Sequence, residues 1–331
     1  MMNLENNNRI NTSFRHAVLL GAGASCAVLP TGYDKNGKRI SAMKDFIKQL
    51  GFDKLFNEYN YEPVSDNLEE VYSDLYGKEE LFDLRQELEV AIEEYFFNMR
   101  ISDEPTVYDL LLLSLTSKDC IATFNWDSLL TQAYRRVRNI TDDLPKLFFL
   151  HGNVDIGFCE NHNRFGFFND KCPICQHTFS PMPLLYPVKN KSYKDKPILA
   201  SFWQQFSKML SEAYIFTVFG YSAPKSDIDA VALLKTAWNA KQKQLEQFEV
   251  IDKKVKESLD DLKKTWSEFV FPFHNNFEES FYTSSLARFP RNTCESLRKQ
   301  NEFAEFIDDS PKLYEGMSWA EIKTIFQQYN R

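Results

Sequence analysis

Five short apolar runs punctuate the chain: "HAVLLGAG" from residue 16, "CIATF" from 120, "KLFFLHG" from 146, "YIFTVFGYS" from 214 and "FEVID" from 248. Each ends at a glycine or a polar residue, and "SEFVFPF" from 267 has the same character. Runs this short and this continuously apolar predict strands buried on both faces. Between them, "DNLEEVYSDL", "EELFDLRQELEVAIEEYFFNMR", "PTVYDLLLLSL", "ASFWQQFSKMLSEA" and "DAVALLKTAWNAKQKQLEQ" place apolar residues at helical spacing. Strands separated by helices require crossover connections, so the expected fold is α/β, a doubly wound, Rossmann-like parallel sheet. Such sheets bind ligands outside the carboxyl ends of their strands. The stretch from about 38 to 118 is too long for one crossover and reads as a helical insertion over the ligand site.

Composition narrows the functions. A net charge of −8 argues against a chain that binds nucleic acid directly, because such a chain needs cations to neutralise phosphates. No apolar stretch approaches the roughly 20 residues of a membrane span, and residues 1–13 are polar and Asn-rich, a loose tail rather than a signal peptide. A cytoplasmic, thiol-reducing location is the expectation.

The strand ends carry the candidate chemistry. After the first run come Gly21, Ala22, Gly23 and Ser25. Glycine lets backbone approach a pyrophosphate, and N–H groups at a helix start attract its charge; an ordinary tight turn is the competing reading. In "CIATFNWD", the polar residues Thr123, Asn125 and Asp127 alternate, so on an extended strand they share one side, with Phe124 and Trp126 on the other. Those three then face a ligand, unless Asn125 and Asp127 only cap a helix beginning at Trp126. His151 and Gly152 end the third run, where a histidine is placed to act as a general base. Gly220 and Ser222 repeat the first turn after the fourth run, and Asp252 ends the fifth with a carboxylate suited to ribose hydroxyls or the adenine edge.

A separate motif lies in "FCENHNRFGFFNDKCPICQH". Cys159 with His162, then Cys172 with Cys175, supply two ligand pairs that fit one closed, structural zinc site, with His177 as an alternative fourth ligand. Three of the six cysteines fall within these 17 residues. Cys26, Cys120 and Cys294 read as core thiols.

Taken in order, the Gly-Ala-Gly turn, T-x-N-x-D, the strand-end His-Gly, the zinc motif and "FGYS" resemble the sirtuin family over roughly residues 14 to 255. The later "HNNFEESFYTSSLARFP" resembles the C-terminal part of bacterial sirtuin-like proteins. The resemblance implies one NAD-binding domain over 14–331, with a zinc module at about 156–182 and a helical extension at about 273–331. It implies cleavage of NAD between nicotinamide and ribose. Gly21 to Ser25 would face the pyrophosphate, Asp127 the carboxamide, and Asn125 the ribose or attacking water, with His151 as base. Gly220, Ser222 and Asp252 would line the adenosine half.

The chain also departs from deacylating sirtuins. It reads "AVLPTGYDKNGKR" where they carry Gly-Ile-Pro-Asp-Phe-Arg, "TFNWD" where they carry T-Q-N-I-D, and "PLLYPVKNKSYKDKPILASFW" where their Phe-Gly-Glu segment pairs with the acyl-lysine peptide. With "NLEEVYSDL", these differences resemble the sirtuin-like NAD hydrolases of bacterial anti-phage defence. That resemblance implies an NAD glycohydrolase restrained by homo-oligomerisation or by a partner such as an ATPase or an Argonaute-like protein. A non-catalytic NAD or ADP-ribose sensor and an NAD-dependent protein deacylase are the alternatives.

Overall fold

A computed structural model describes residues 14–40, 46–186, 196–224, 227–240, 246–270, 274–303 and 311–327. Nine strands are present among them: β1 Arg15–Leu20, β2 Cys120–Thr123, β3 Lys146–Phe149, β4 Ile156–Cys159, β5 Arg164–Phe167, β6 Ser180–Pro181, β7 Ala213–Phe219, β8 Gln247–Ile251 and β9 Asn275–Glu278. Six of them form a sheet in the order β3-β2-β1-β7-β8-β9, and every neighbouring pair is parallel. The chain runs outward from β1 to β3, then returns to the other side of β1 as β7. This reversal is the topological switch point of a doubly wound sheet, where a crevice opens between neighbouring strand ends.

Both faces of the sheet are covered, which explains the unbroken apolar runs. Val18 and Leu20 of β1 pack into one core with the helices Leu68–Tyr76, Phe82–Phe97, Val107–Ser114 and Leu129–Val137. Ala17 and Leu19 point the other way, into a second core with Pro197–Ser211 and Ile228–Trp238. Register then aligns the carboxyl ends of the strands. Leu20 pairs with both Thr123 and Phe219, Thr123 pairs with Phe149, and Phe219 pairs with Ile251. The residues that follow these ends therefore emerge along one line.

The five strand expectations of the opening runs hold, whereas the described part of "SEFVFPF", residues 267–270, forms no strand. Ser267–Phe269 is a turn in which Phe269 packs on Trp266, and 271–273 lie outside the described residues. The sixth strand is β9, in "NNFE", at the sheet margin, where half-buried polar residues are tolerated. The helix expected from 229 onward ends at Trp238, and 241–245 lie outside the described residues, as do 1–13.

Candidate functional site at the switch point

The two glycine turns meet face to face. Gly21 N–H donates to Phe219 O at 3.0 Å and Gly23 N–H to Gly220 O at 2.8 Å. A Cβ on Gly21 would sit 2.6 Å from Gly220 O, and one on Gly220 would sit 2.2 Å from Ala24 N. Gly220 also has φ +63°, a left-handed conformation that glycine adopts without strain. The close approach present in the structure is thus backbone to backbone across the switch point. Two of the amides expected to face a pyrophosphate are engaged by β7 and its turn. Ala22 and Gly23 stay exposed at the start of the helix Ala22–Val28.

Asn125 and Asp127 converge on the first turn. Asn125 Nδ2 donates to Gly21 O at 2.8 Å and Ser25 Oγ at 2.9 Å, and lies 3.3 Å from Tyr108 OH. Ser25 Oγ donates to Asp127 Oδ2 at 2.7 Å. Burial pushes the Asp127 carboxyl above the usual carboxylate range, although its hydrogen bonds from Ser25 and Leu129 N–H act the other way. Thr123 does not extend this polar face; its Oγ1 accepts the Asn125 N–H at 3.0 Å and shapes the turn.

The expected alternation of sides ends with the strand. Phe124 packs against His151, Trp203 and Tyr221 in one core, and Trp126 packs between Phe96 and Tyr186 in the other. They part because β2 stops at Thr123, and period-2 geometry stops with it. Helix capping is also redistributed. The next helix is Leu129–Val137, with Ser128 at its N-cap; Asp127 Oδ1 accepts the Leu129 N–H at 3.0 Å, while Asn125 caps nothing.

His151 is buried beside this loop, its ring centroid 4.4 Å from that of Phe124. Gly152 follows at φ +82°, where a Cβ would lie 2.4 Å from Pro183 O. Ser222 is exposed just past Gly220. Asp252 shapes the turn before the helix Val255–Thr265, its Oδ1 accepting the Lys254 N–H at 2.8 Å.

Sequence reasoning missed two residues. Tyr108, read as an apolar helix position, is fully buried with its hydroxyl 2.9 Å from Ser25 Oγ. Asn153 holds the Asn125–Asp127 loop from below, its Nδ2 donating to Asp127 O at 2.7 Å. A lone tyrosine within "VYDLLLL" and the polar residue after His-Gly were the available signals.

The metal motif closes as a cluster on the antiparallel sheet β5-β4-β6. The ligand atoms of Cys159, His162, Cys172 and Cys175 lie within 4.8 Å of one another. Cys159 Sγ is 3.5 Å from His162 Nδ1 and 3.6 Å from Cys175 Sγ, and Cys172 Sγ is 3.7 Å from His162 Nδ1. A tetrahedral zinc ion separates two sulfurs by about 3.8 Å and a sulfur from a nitrogen by about 3.5 Å, so the donor set fits one. His162 completes the cluster; His177 is exposed, and its contribution is a carbonyl that accepts the Cys172 N–H at 2.9 Å. Backbone N–H groups, that of Cys175 foremost, draw the Cys172 thiol down to about 6. Among the other thiols, Cys120 and Cys294 are buried as expected, but Cys26 is exposed, on the same open face of its helix as Ala22 and Gly23.

The sequence matches no protein-family model and no curated protein. Among solved structures, the chain is similar to a Sir2 in complex with an inhibitor, 2'-O-acetyl-ADP-ribose and a deacetylated p53 peptide. Identity there is 15%, the match covers 87% of this chain and 93% of that one, and the TM-score is 0.36. A Sir2 homologue–NAD complex is similar at 14% identity over 86% of this chain and 90% of that one, with a TM-score of 0.37. No helix among the described residues is long and apolar enough to cross a membrane.

Proposed function

We propose that this chain is an NAD glycohydrolase that binds NAD along the Gly21–Ser25 edge and cleaves the nicotinamide–ribose bond, releasing nicotinamide and ADP-ribose. The observation that carries this reading is the convergence of Asn125 and Asp127 on Ser25 at the switch point, with His151 beside them on the neighbouring strand end. The order of motifs along the chain supports NAD as the ligand. Nicotinamide leaves as a neutral molecule, taking the electron pair of the glycosidic bond, and water bonds to the ribose carbon. His151 takes the proton that water loses, Asn125 orients the water or a ribose hydroxyl, and Asp127 orients the carboxamide. Ala22, Gly23 and Ser222, exposed at the same edge, face the diphosphate and ribose, with Asp252 toward the adenosine half. Zinc at Cys159, His162, Cys172 and Cys175 supplies structural support, since four protein ligands leave no open position.

The departures from deacylating sirtuins support an NAD-depleting role in bacterial anti-phage defence, acting in the cytoplasm and restrained by self-association or by an ATPase or Argonaute-like partner. The test is NAD consumption by the purified chain, alone and with the product of a neighbouring gene. Asn125→Ala and His151→Ala are each expected to abolish nicotinamide release while zinc content and melting temperature stay unchanged; full activity in either would overturn the assignment. The engagement of the Asn125 amide and Asp127 carboxylate within the protein also favours a second reading, an NAD or ADP-ribose sensor. Saturable NAD binding without consumption distinguishes it. Nicotinamide release only in the presence of an acyl-lysine peptide would identify a deacylase.

A further inference from the structure

The amide of Asn125 can be oriented from chemistry alone. A backbone carbonyl only accepts hydrogen bonds, so the side-chain atom 2.8 Å from Gly21 O must be Nδ2 and not Oδ1. Nδ2 carries two hydrogens. One goes to Gly21 O and the other to Ser25 Oγ, with Tyr108 OH beside it at 3.3 Å. Ser25 has one hydrogen, which goes to Asp127 Oδ2. Its oxygen must therefore accept from its other neighbours, so the Tyr108 hydroxyl, 2.9 Å away, is a donor to Ser25. Each hydrogen in the cluster then has one destination, and no described residue donates to Asn125 Oδ1.

We propose that Tyr108 is a positioning residue: by donating to Ser25 it closes the network that holds the Asn125 amide with Nδ2 inward, leaving Oδ1 to accept a hydrogen bond from the substrate hydroxyl or water. The proposal rests on the NAD-hydrolase reading for its substrate, but the orientation itself does not. Tyr108 is suited to the task because its helix is anchored at the start. Asp109 accepts the Thr106 N–H at 2.6 Å and is ion-paired with Arg136. The Tyr108 ring is fully buried, so its hydroxyl has no freedom to turn to solvent.

The test is Tyr108→Phe, which keeps the ring in its slot. Removing one neutral hydrogen bond that acts on an orienting group is expected to lower kcat about tenfold with KM within about twofold. Unchanged kcat, or a raised KM at unchanged kcat, overturns the proposal; a lower melting temperature with wild-type kcat makes Tyr108 merely structural and also overturns it. The second measurement needs no turnover. In protein labelled with 15N-asparagine, the Asn125 side-chain N–H pair, assigned through Asn125→Asp, is expected to exchange slowly with solvent in the wild type and faster in Tyr108→Phe. Fast exchange in the wild type, or identical exchange in both, overturns the proposal. If the wild type consumes no NAD, the hydrolase reading fails, and the exchange experiment still decides the role of Tyr108.

Discussion

Glycine at the switch point answers to geometry that a neighbouring residue imposes. Gly21, Gly23 and Gly220 occupy positions where a side chain would collide with the opposing turn, and Gly220 adds a left-handed backbone. Gly220→Ala is therefore expected to destabilise the fold by roughly 3 kcal/mol or more, since strain and overlap both act against it. Gly32→Ala bears only the backbone strain of its φ +78°, because nothing lies within 4 Å of a Cβ there. Urea denaturation of the two variants checks the difference; equal losses would mean that the contact between the turns contributes nothing. The same scale shows why Asn125 was only partly legible. Its type and strand-end position were visible in "TFNWD", but its hydrogen-bond partners are 17 to 104 residues away.

Elements around the cysteine cluster explain which histidine joins it. Cys159 ends β4, His162 sits in the turn to β5, and Cys172 and Cys175 lie in the loop leading to β6. His177 falls beyond that loop's turn, on the exposed side. Spacing allowed either histidine; the β4–β5 hairpin selects His162 by turning its Nδ1 toward the thiols. His162→Ala is expected to lose bound zinc, measured by metal analysis of the purified protein, whereas His177→Ala keeps it. The reverse pattern would remove His162 from the ligand set. Zinc loss should also loosen the segment that leads back to the candidate site. Asn153 and Asp155 immediately precede β4, and Asp155 accepts hydrogen bonds from Thr131 and Arg135 of the helix Leu129–Val137.

Across the whole molecule, a polar chain ties the C-terminal helices to the sheet. His16 on β1 lies 3.0 Å from Thr293 Oγ1 through Nδ1 and 2.7 Å from Thr217 Oγ1 through Nε2. Thr217 donates to Glu249 on β8, which also accepts from Ser285 N–H at 2.9 Å. Burial, with the nearby Lys118 charge adding to it, lowers the His16 ring to about 3. The unfolded chain takes up this proton below about pH 6.5, but the folded chain does not until about 3. In that window the unfolded state holds the extra proton, so stability is lost as the pH drops, by up to about 1.4 kcal/mol per unit. Burial raises the carboxyls of Asp119 and Glu249, which act in the opposite sense. A comparison with His16→Asn isolates the histidine: between pH 7 and pH 5 the wild-type urea midpoint is expected to drop further than that of the variant. Parallel curves would contradict the neutral, buried state of His16.

What the sequence determined by itself was whatever depends on local pattern. Buried parallel strands must be continuously apolar, helices must repeat at their own period, and two cysteine-containing pairs at ligand spacing can close on a metal. Those rules place β1, β2, β3, β7 and β8, the helices Leu68–Tyr76, Phe82–Phe97, Val107–Ser114, Pro197–Ser211 and Ile228–Trp238, and the cysteines of the cluster. β9 escaped them because a half-buried edge strand needs no apolar run. Only the tertiary structure decided what meets what. Strand order brings Gly220 against Gly21, register lines up Thr123, Phe149 and Phe219, and the end of β2 turns Asn125 and Asp127 onto Ser25 and Tyr108. These contacts join residues far apart in the chain, and no local period encodes the partner at the far end of such a contact.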